Sequence, residues 1–428
     1  MSLDNERPES LLGLIAGLEG VADGYTIIHG PTGCKYYPSS VSESCYRTRK
    51  GGTVSRNLFE MGSRYFFSQP RVPCTYLDMG KFVTGGKDRL EDLYAKVEKM
   101  GPSVIGIVNS PGASLIGEDI GSVGRGIPTV CMDHADYSGT CSDGFQDAVL
   151  ALVDRIRPER KTPRRGTVNL VGISILHLNW NDTVEDLRNL LALCGIEINC
   201  VIGAGWTAED IRRSAEAEAN ILVYPEYGDR VADFYEREYG IQTVRPREGA
   251  PIGFDALEDW VISLCQIMKR DPTAALEEIK VCRRRAAGCI RTMESCHLLP
   301  KGRTFSLYCD GSTAYAVSRF LYRYLGMIPV AVTCPNGERW KDETFSFFGS
   351  KGIPLSDDAL HTETDVIIAG GAICSSAISK GTALGHVDVE GPGDKTVNVR
   401  AEPAIGLGGT MRLLDGVLNT IADRQRFR

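Results

Sequence analysis

The 428-residue sequence lacks several signatures that would have assigned it quickly. No C-x2-C pair is present, which excludes zinc ribbons and bacterial-type ferredoxin runs as local motifs. No G-x4-G-K-S/T loop occurs: the nearest stretch, GPGDKT at Gly391–Thr396, has Asp where the second glycine belongs, arguing against a self-contained P-loop ATPase. No complete G-x-G-x-x-G follows a strand, since GLGGT at Gly406–Thr410 has the wrong spacing, and a nicotinamide dehydrogenase has little support. The G-x-S-x-G nucleophile elbow is missing as well. No run approaches the roughly 18 apolar residues of a membrane span. The first residues, MSLDNERPES, interrupt any signal-peptide pattern with Asp4, Glu6, Arg7 and Glu9. A basic excess is also absent: 48 Lys and Arg stand against 55 Asp and Glu, a formal net charge of -7, so a nucleic-acid partner is not expected. The sequence reads as a cytoplasmic protein without membrane contact.

What is present is an α/β pattern. Short Val- and Ile-rich runs alternate with helical periodicity, the sign of parallel sheets with crossover helices. Thr167–Leu176 reads as a buried strand, Asp182–Leu193 as a helix with Val184, Leu187, Leu190 and Leu191 on one face, and Ile198–Ile202 as the next strand. Thr207–Glu218 and Asp229–Tyr239 read as helices around the strand Asn220–Tyr224. A second series starts at TFSLYCDGS, with the helix Ala314–Leu325 and strands Ile328–Thr333 and Asp365–Ala369. The first part holds four candidate strands, Tyr25–His29, Lys81–Thr84, Val104–Asn109 and Thr129–Met132, and the helix Asp88–Lys99. Three Rossmann-like domains are expected, over residues 1–160, 166–270 and 300–428. The basic, Pro-containing stretch Arg155–Gly166 reads as a linker and Pro272–Leu299 as a helical join.

Fourteen cysteines are too few for a disulfide scaffold of this length, so they are buried thiols, reactive thiols or metal ligands. Any metal site must combine distant segments or more than one chain. The most telling segment is HGPTGCKYYPSS, His29–Ser40, directly after an apolar strand. A stiff Gly-Pro-Gly turn at a strand end presents the Cys34 thiol beside free backbone amides that favour the thiolate. Spacing alone leaves a cluster ligand and an unreactive loop thiol equally open.

HGPTGC resembles the cluster-binding turn of the nitrogenase component 1 superfamily, which includes cofactor-assembly scaffolds and nitrogenase-like reductases. KFVTGGKDRL (Lys81–Leu90), SPGASLIGEDI (Ser110–Ile120) and DYSGTCSDGFQDAV (Asp136–Val149) are similar to further pieces of that family, in its order. PIGFDALEDW (Pro251–Trp260) and the stretch Lys301–Val332 resemble its later strand–helix units. The resemblance implies that Cys34 is an iron–sulfur ligand, that Cys74 falls near a second ligating cysteine, and that Gly33 lets the backbone approach the inorganic core. Cys45 is a weaker third candidate. Ser110 or Pro111 stands where many relatives carry another cysteine, so the chain offers two sulfurs where a 4Fe-4S cluster takes four ligands. The rest would come from a homologous α-type subunit or a second copy of the chain. Electrons would come from a separate ATP-dependent iron–sulfur reductase resembling the nitrogenase iron protein. No cysteine ends the strand before Pro225, and no histidine follows His386, so the large cofactor of catalytic α subunits is not expected here. The implied role is a β-type reductase subunit. The alternatives are a scaffold holding a cluster precursor and a cluster-free α/β binding protein.

Other residues carry lesser expectations. His177 reads as a histidine satisfied under a loop. Cys282, Cys289 and Cys296, seven residues apart, read as packing on one helix face; Cys131 and Cys141 are weak ligand candidates. Lys81, Arg47 and Arg49 are candidate contacts for an acidic face of the electron donor.

Overall fold

The computed structural model of the chain describes residues 10–35, 72–124, 126–133, 139–159, 162–295, 298–391, 400 and 402–426. Cys45, Arg47, Arg49 and Cys296 lie outside them.

Eleven strands among the described residues form three sheets in which every recorded pairing is parallel. The first holds β1 (Tyr25–His29), β2 (Ile105–Asn109) and β3 (Thr129–Met132), in that order. The second comprises β4 (Arg164–Val171), β5 (Glu197–Ile202), β6 (Ala217–Leu222) and β7 (Thr243–Val244), ordered β5-β4-β6-β7. The third contains β8 (Thr304–Tyr308), β9 (Ile328–Thr333), β10 (Thr364–Gly370) and β11 (Ala383–Glu390), ordered β11-β10-β8-β9. Strands such as IGIVN of β2 are buried at every residue because helices cover both faces, which is why they read as unbroken apolar runs. The crossover helices start on sequence-encoded caps: Thr140 with Asp143, and Thr207 with Asp210, form capping boxes for the helices Cys141–Ile156 and Ala208–Arg213.

The strand expected at Lys81–Thr84 is instead the helix Met79–Thr84. Phe82, Val83 and Thr84 favour a strand by propensity, but Asp78 Oδ1 accepts the Lys81 amide at 3.0 Å and Gly85, at φ +91°, ends the turn. None of its residues is buried, so no sheet offers it a place. The strand β11 went unread in the sequence: its burial alternates along ALGHVDVE, and the pattern is short and interrupted by Gly385.

One apolar cluster runs beneath all three sheets, joining Ile28 and Val108 of the first to Val168 and Ile221 of the second and Phe305 and Ile368 of the third. The outer face of the first sheet is covered separately, Ile27, Ile105 and Ile107 packing on Leu90, Tyr94 and Val97. The helices Ser10–Glu19 and Cys141–Ile156 cross backbone to backbone: a Cβ on Gly13 would lie 1.9 Å from the Cys141 carbonyl oxygen and 2.8 Å from the Phe145 nitrogen. Replacing Gly13 with alanine therefore forces the helices apart. We expect a loss of about 1–3 kcal/mol of stability, read as a lower thermal midpoint; an unchanged midpoint would disprove this close crossing.

Candidate iron–sulfur half-site

The site begins with an edge of the first sheet. Residues 73–77 run alongside the free edge of β1: Ile28 donates to the Pro73 carbonyl at 3.0 Å, Thr75 to the Ile28 carbonyl at 3.1 Å, and Leu77 to the Gly30 carbonyl at 3.2 Å. Ile28 and Cys74 form a parallel bridge. With β2 on its other side, β1 becomes the point at which the strand order reverses, and in open parallel sheets the crevice beyond such a carboxyl end is where ligands gather. The HGPTGC turn leaves β1 at that end. Residues 32–35 form one helical turn that carries Cys34, half-buried, and Lys35, buried.

Short contacts lock the pieces together. The Gly30 amide donates to Thr75 Oγ1 at 3.0 Å, and the Ser110 amide donates to the His29 carbonyl at 2.9 Å. A Cβ on Gly30 would meet Ser110 Oγ at 2.3 Å, so only glycine lets the turn lie on that loop. His29 is fully buried, its Nε2 2.9 Å from Glu118 Oε2, while Glu118 Oε1 accepts the amides of Gly86 and Lys87 at 2.8 and 3.0 Å. Burial works to raise the Glu118 pKa, but the His29, Lys87 and Gly86 hydrogen bonds outweigh it and hold the carboxyl below its usual range. Glu118 thus joins the cysteine turn, the paired glycines and the loop after β2. Its place within LIGED was visible in the sequence; its partners were not.

Cys74 is buried beside this turn, 1% exposed. Burial pushes its thiol up, and the Tyr76 backbone amide and the Lys35 ammonium act against that shift. Among the described residues nothing lies within 4 Å of a Cβ placed on Gly33. Among the described residues no three His, Cys, Asp or Glu side chains converge as a metal-ion site. The two thiols Cys34 and Cys74 are sulfur donors of the kind iron–sulfur clusters take, and number half of the four ligands of a four-iron cluster.

The remaining cysteines lie elsewhere. Cys131, half-buried, donates to the Ile120 carbonyl at 3.5 Å, and burial with the nearby Asp119 pushes its thiol up to about 11. Cys141 is buried where the three sheets meet, and burial pushes its thiol far up. Cys282 packs on the core, whereas Cys289 is exposed: the last turns of the helix Thr273–Ser295 have little buried surface, so the expected packing holds only nearer its start.

A second polar assembly lies at the carboxyl ends of β4, β6, β8 and β11. His177 Nδ1 accepts the Ser174 amide at 2.9 Å, the ring stacks on Tyr224 at 3.8 Å, and Nε2 lies 3.8 Å from Asp310 Oδ2, with no hydrogen-bond partner among the described residues. Burial lowers the His177 pKa despite Asp310, so the ring is neutral. Among the described residues the histidine is thus satisfied on one nitrogen only. Ser312 donates from its amide and hydroxyl to Glu226 Oε1, the Asp310 amide donates to Glu390 Oε1 at 2.9 Å, and Asn336 Nδ2 donates to Asp310 Oδ1 at 2.6 Å. Burial, then Asp310, pushes Glu226 up to about 8 and Glu390 well above its usual value. No sequence pattern pointed to this cluster, because its members come from separate strand ends.

Three parallel sheets joined on one interior define the α/β class of this protein. The chain belongs to the nitrogenase component 1 type oxidoreductase family, whose model matches residues 11–422. A subunit of the light-independent protochlorophyllide reductase of Rhodopseudomonas palustris (strain BisB5) is 28% identical over 344 residues, covering 74% of this chain and 61% of that protein. Its namesake from Synechococcus sp. (strain RCC307) is 28% identical over 300 residues, covering 65% of this chain and 54% of that protein. The chain thus spans under two thirds of the length of these relatives. The solved structure of nitrogenase Cp1 at pH 6.5 shares the fold, with a TM-score of 0.78, 16% identity, and coverage of 99% of this chain and 94% of that one. No helix among the described residues is long and apolar enough to cross a membrane.

Proposed function

We propose that the chain is a β-type subunit of a nitrogenase-like two-component reductase, in which Cys34 with Cys74 holds part of an iron–sulfur cluster at a boundary with a second polypeptide. The observation that carries this reading is the pairing of the Cys34 turn with the Cys74 segment at the carboxyl end of β1. When bound, the cluster supplies one-electron chemistry, accepting electrons from an ATP-dependent iron–sulfur reductase and relaying them to a substrate or cofactor at the partner subunit. The chain's own part is to fix two thiolates on a stiff turn and an edge segment, with Gly33 leaving room for the inorganic core. The relatives' names support a reductase subunit.

A half-complete donor set needs a partner, an α-type subunit or a second copy, and the surface beside it suits one. Met79, Val83 and Leu115 are 82%, 85% and 81% exposed on the segments that flank the thiols, and Tyr76 is 44% exposed. Such apolar side chains clustered around one site mark a surface that another protein covers. Lys81, already paired with Asp88 at 2.7 Å, stands on the same short helix.

Anaerobic purification from the native host, with iron and sulfide analysis and identification of bound chains, tests the reading. We expect a brown protein with a bound partner and iron in near-integral ratio to it. Colourless, iron-free protein under those conditions would overturn the assignment.

A further inference from the structure

We propose that Lys35 is the fixed cation of the thiol site, a charge-compensating residue that raises the reduction potential of an iron–sulfur cluster held there. The inference rests on the reading of Cys34 and Cys74 as ligands.

Lys35 is 8% exposed, an unusual place for an ammonium. Its Nζ donates to Tyr76 Oη at 3.0 Å and stands 4.9 Å from the centre of the same ring. Neither partner is an anion. Among the described residues no carboxylate pairs with it, although cations nearby are paired: Lys81 with Asp88 at 2.7 Å and Arg89 with Asp78 at 2.8 Å. The ordinary pattern is inverted among the described residues, the half-buried cations being neutralised and the buried one not. A buried ammonium with three donors and one neutral acceptor is stable only where an anion completes its surroundings.

The groups beside it that become anionic on ligating iron are the two thiols. Cys34 precedes Lys35 in the same turn, and the Lys35 charge favours the thiolate of Cys74. Tyr76 holds the ammonium there at a backbone φ of +52°, a conformation non-glycine residues seldom adopt, and Arg89 grips the Tyr76 carbonyl. The arrangement is built rather than incidental.

A thiolate-ligated iron–sulfur cluster carries net negative charge that grows on reduction, and net charge and hydrogen bonds to sulfur set its potential. A fixed positive charge in a low-dielectric pocket stabilises the reduced form more than the oxidised one. Lys35 therefore makes the cluster easier to reduce, which suits a centre that receives electrons.

Redox titration of the anaerobically purified complex, monitored by electron paramagnetic resonance alongside iron content, tests this. Lys35→Met and Lys35→Gln are expected to keep iron and to lower the reduced-to-oxidised ratio at a fixed potential about tenfold, a shift of about 59 mV to more negative values for a one-electron couple. Lys35→Arg is expected to stay near the wild-type midpoint. If neither neutral variant loads iron while Lys35→Arg does, the cation is still required. Iron-loaded Lys35→Met or Lys35→Gln at the wild-type midpoint would overturn the proposal while leaving the ligand assignment intact. Loss of iron in all three variants would overturn it in favour of a packing role, and iron-free wild-type protein would overturn the ligand assignment itself.

Discussion

Replacing Cys34 with alanine is expected to remove essentially all cluster iron from the anaerobically purified protein while leaving its thermal midpoint nearly unchanged. The two halves of that result follow from different facts. Cys34 is half-buried on a one-turn helix, so losing its sulfur removes little packing, within about 0.5 kcal/mol for a position of this kind. As one of the two sulfurs proposed to ligate the cluster, however, it would be a large part of the donor set. Cys74→Ala should also lose iron, with an added cost of order 1 kcal/mol or more because that side chain is 1% exposed in the core. Cys131→Ala is the contrast: its thiol, at about 11, is bonded to the Ile120 carbonyl and contributes nothing to the site, so iron content should hold. Iron and acid-labile sulfide per chain, read with the visible absorbance, decide the matter. Full iron in Cys34→Ala would remove the ligand assignment.

The second large effect is expected at the junction of the sheets. Glu226 keeps its proton to about pH 8 in the folded protein, first through burial and then through Asp310, whereas an unfolded glutamate releases it near 4.3. Between those values the folded state holds more protons than the unfolded state, so stability falls as pH rises, by up to about 1.4 kcal/mol per unit, and levels off above about 8. Glu390, also raised, adds to the same slope. His177 acts in the opposite sense: its folded pKa is lowered, so stability is lost as pH falls below the unfolded value of about 6.5. Below about pH 6.5 His177 offsets only part of the fall set by the two glutamates, so the wild-type protein should weaken as pH rises, most steeply from about 6.5 to 8. Glu226→Gln keeps the shape and the acceptor for Ser312 but has no proton to lose. Its thermal midpoint should approach that of the wild type near pH 5, exceed it at pH 8, and show a shallower fall between. Parallel profiles for the two proteins would show that Glu226 is ionised in the fold.

The strands that form sheet centres were readable because burial on both faces leaves an unbroken apolar signature. Val104–Asn109, Thr129–Met132 and Ile328–Thr333 lie within a residue of their observed limits. Lys81–Thr84 misled because β-branched and aromatic residues suggest a strand whatever surrounds them, and only the cap at Asp78 and the stop at Gly85 reveal the helix. Elsewhere the limits moved where a helix ended early: Thr207–Glu218 closes as an α-helix at Arg213 and a 3-10 turn at Ser214–Glu216, and β6 starts at Ala217. At the site, Cys34 drew attention by its Gly-Pro-Gly turn at a strand end, with an ordinary loop thiol equally open on spacing alone, and Cys74 only through the resemblance. Lys35 did not, because a lysine beside a cysteine reads as solvated until its burial is known. Glu226, Asp310 and Glu390 are separated by 84 and 80 positions of chain, and no local pattern announces that such residues will meet in space.

The apolar interior common to the three sheets has a consequence for how this molecule can be altered. A boundary drawn at residue 160 or 300 would leave a raw oily face on each product, since Val168, Ile221, Phe305 and Ile368 all rest on the same mass of side chains. Grafting one sheet from a relative therefore means re-fitting the surfaces of the other two. Variety in this architecture is easiest at the strand tips, where side chains can change without disturbing what lies below.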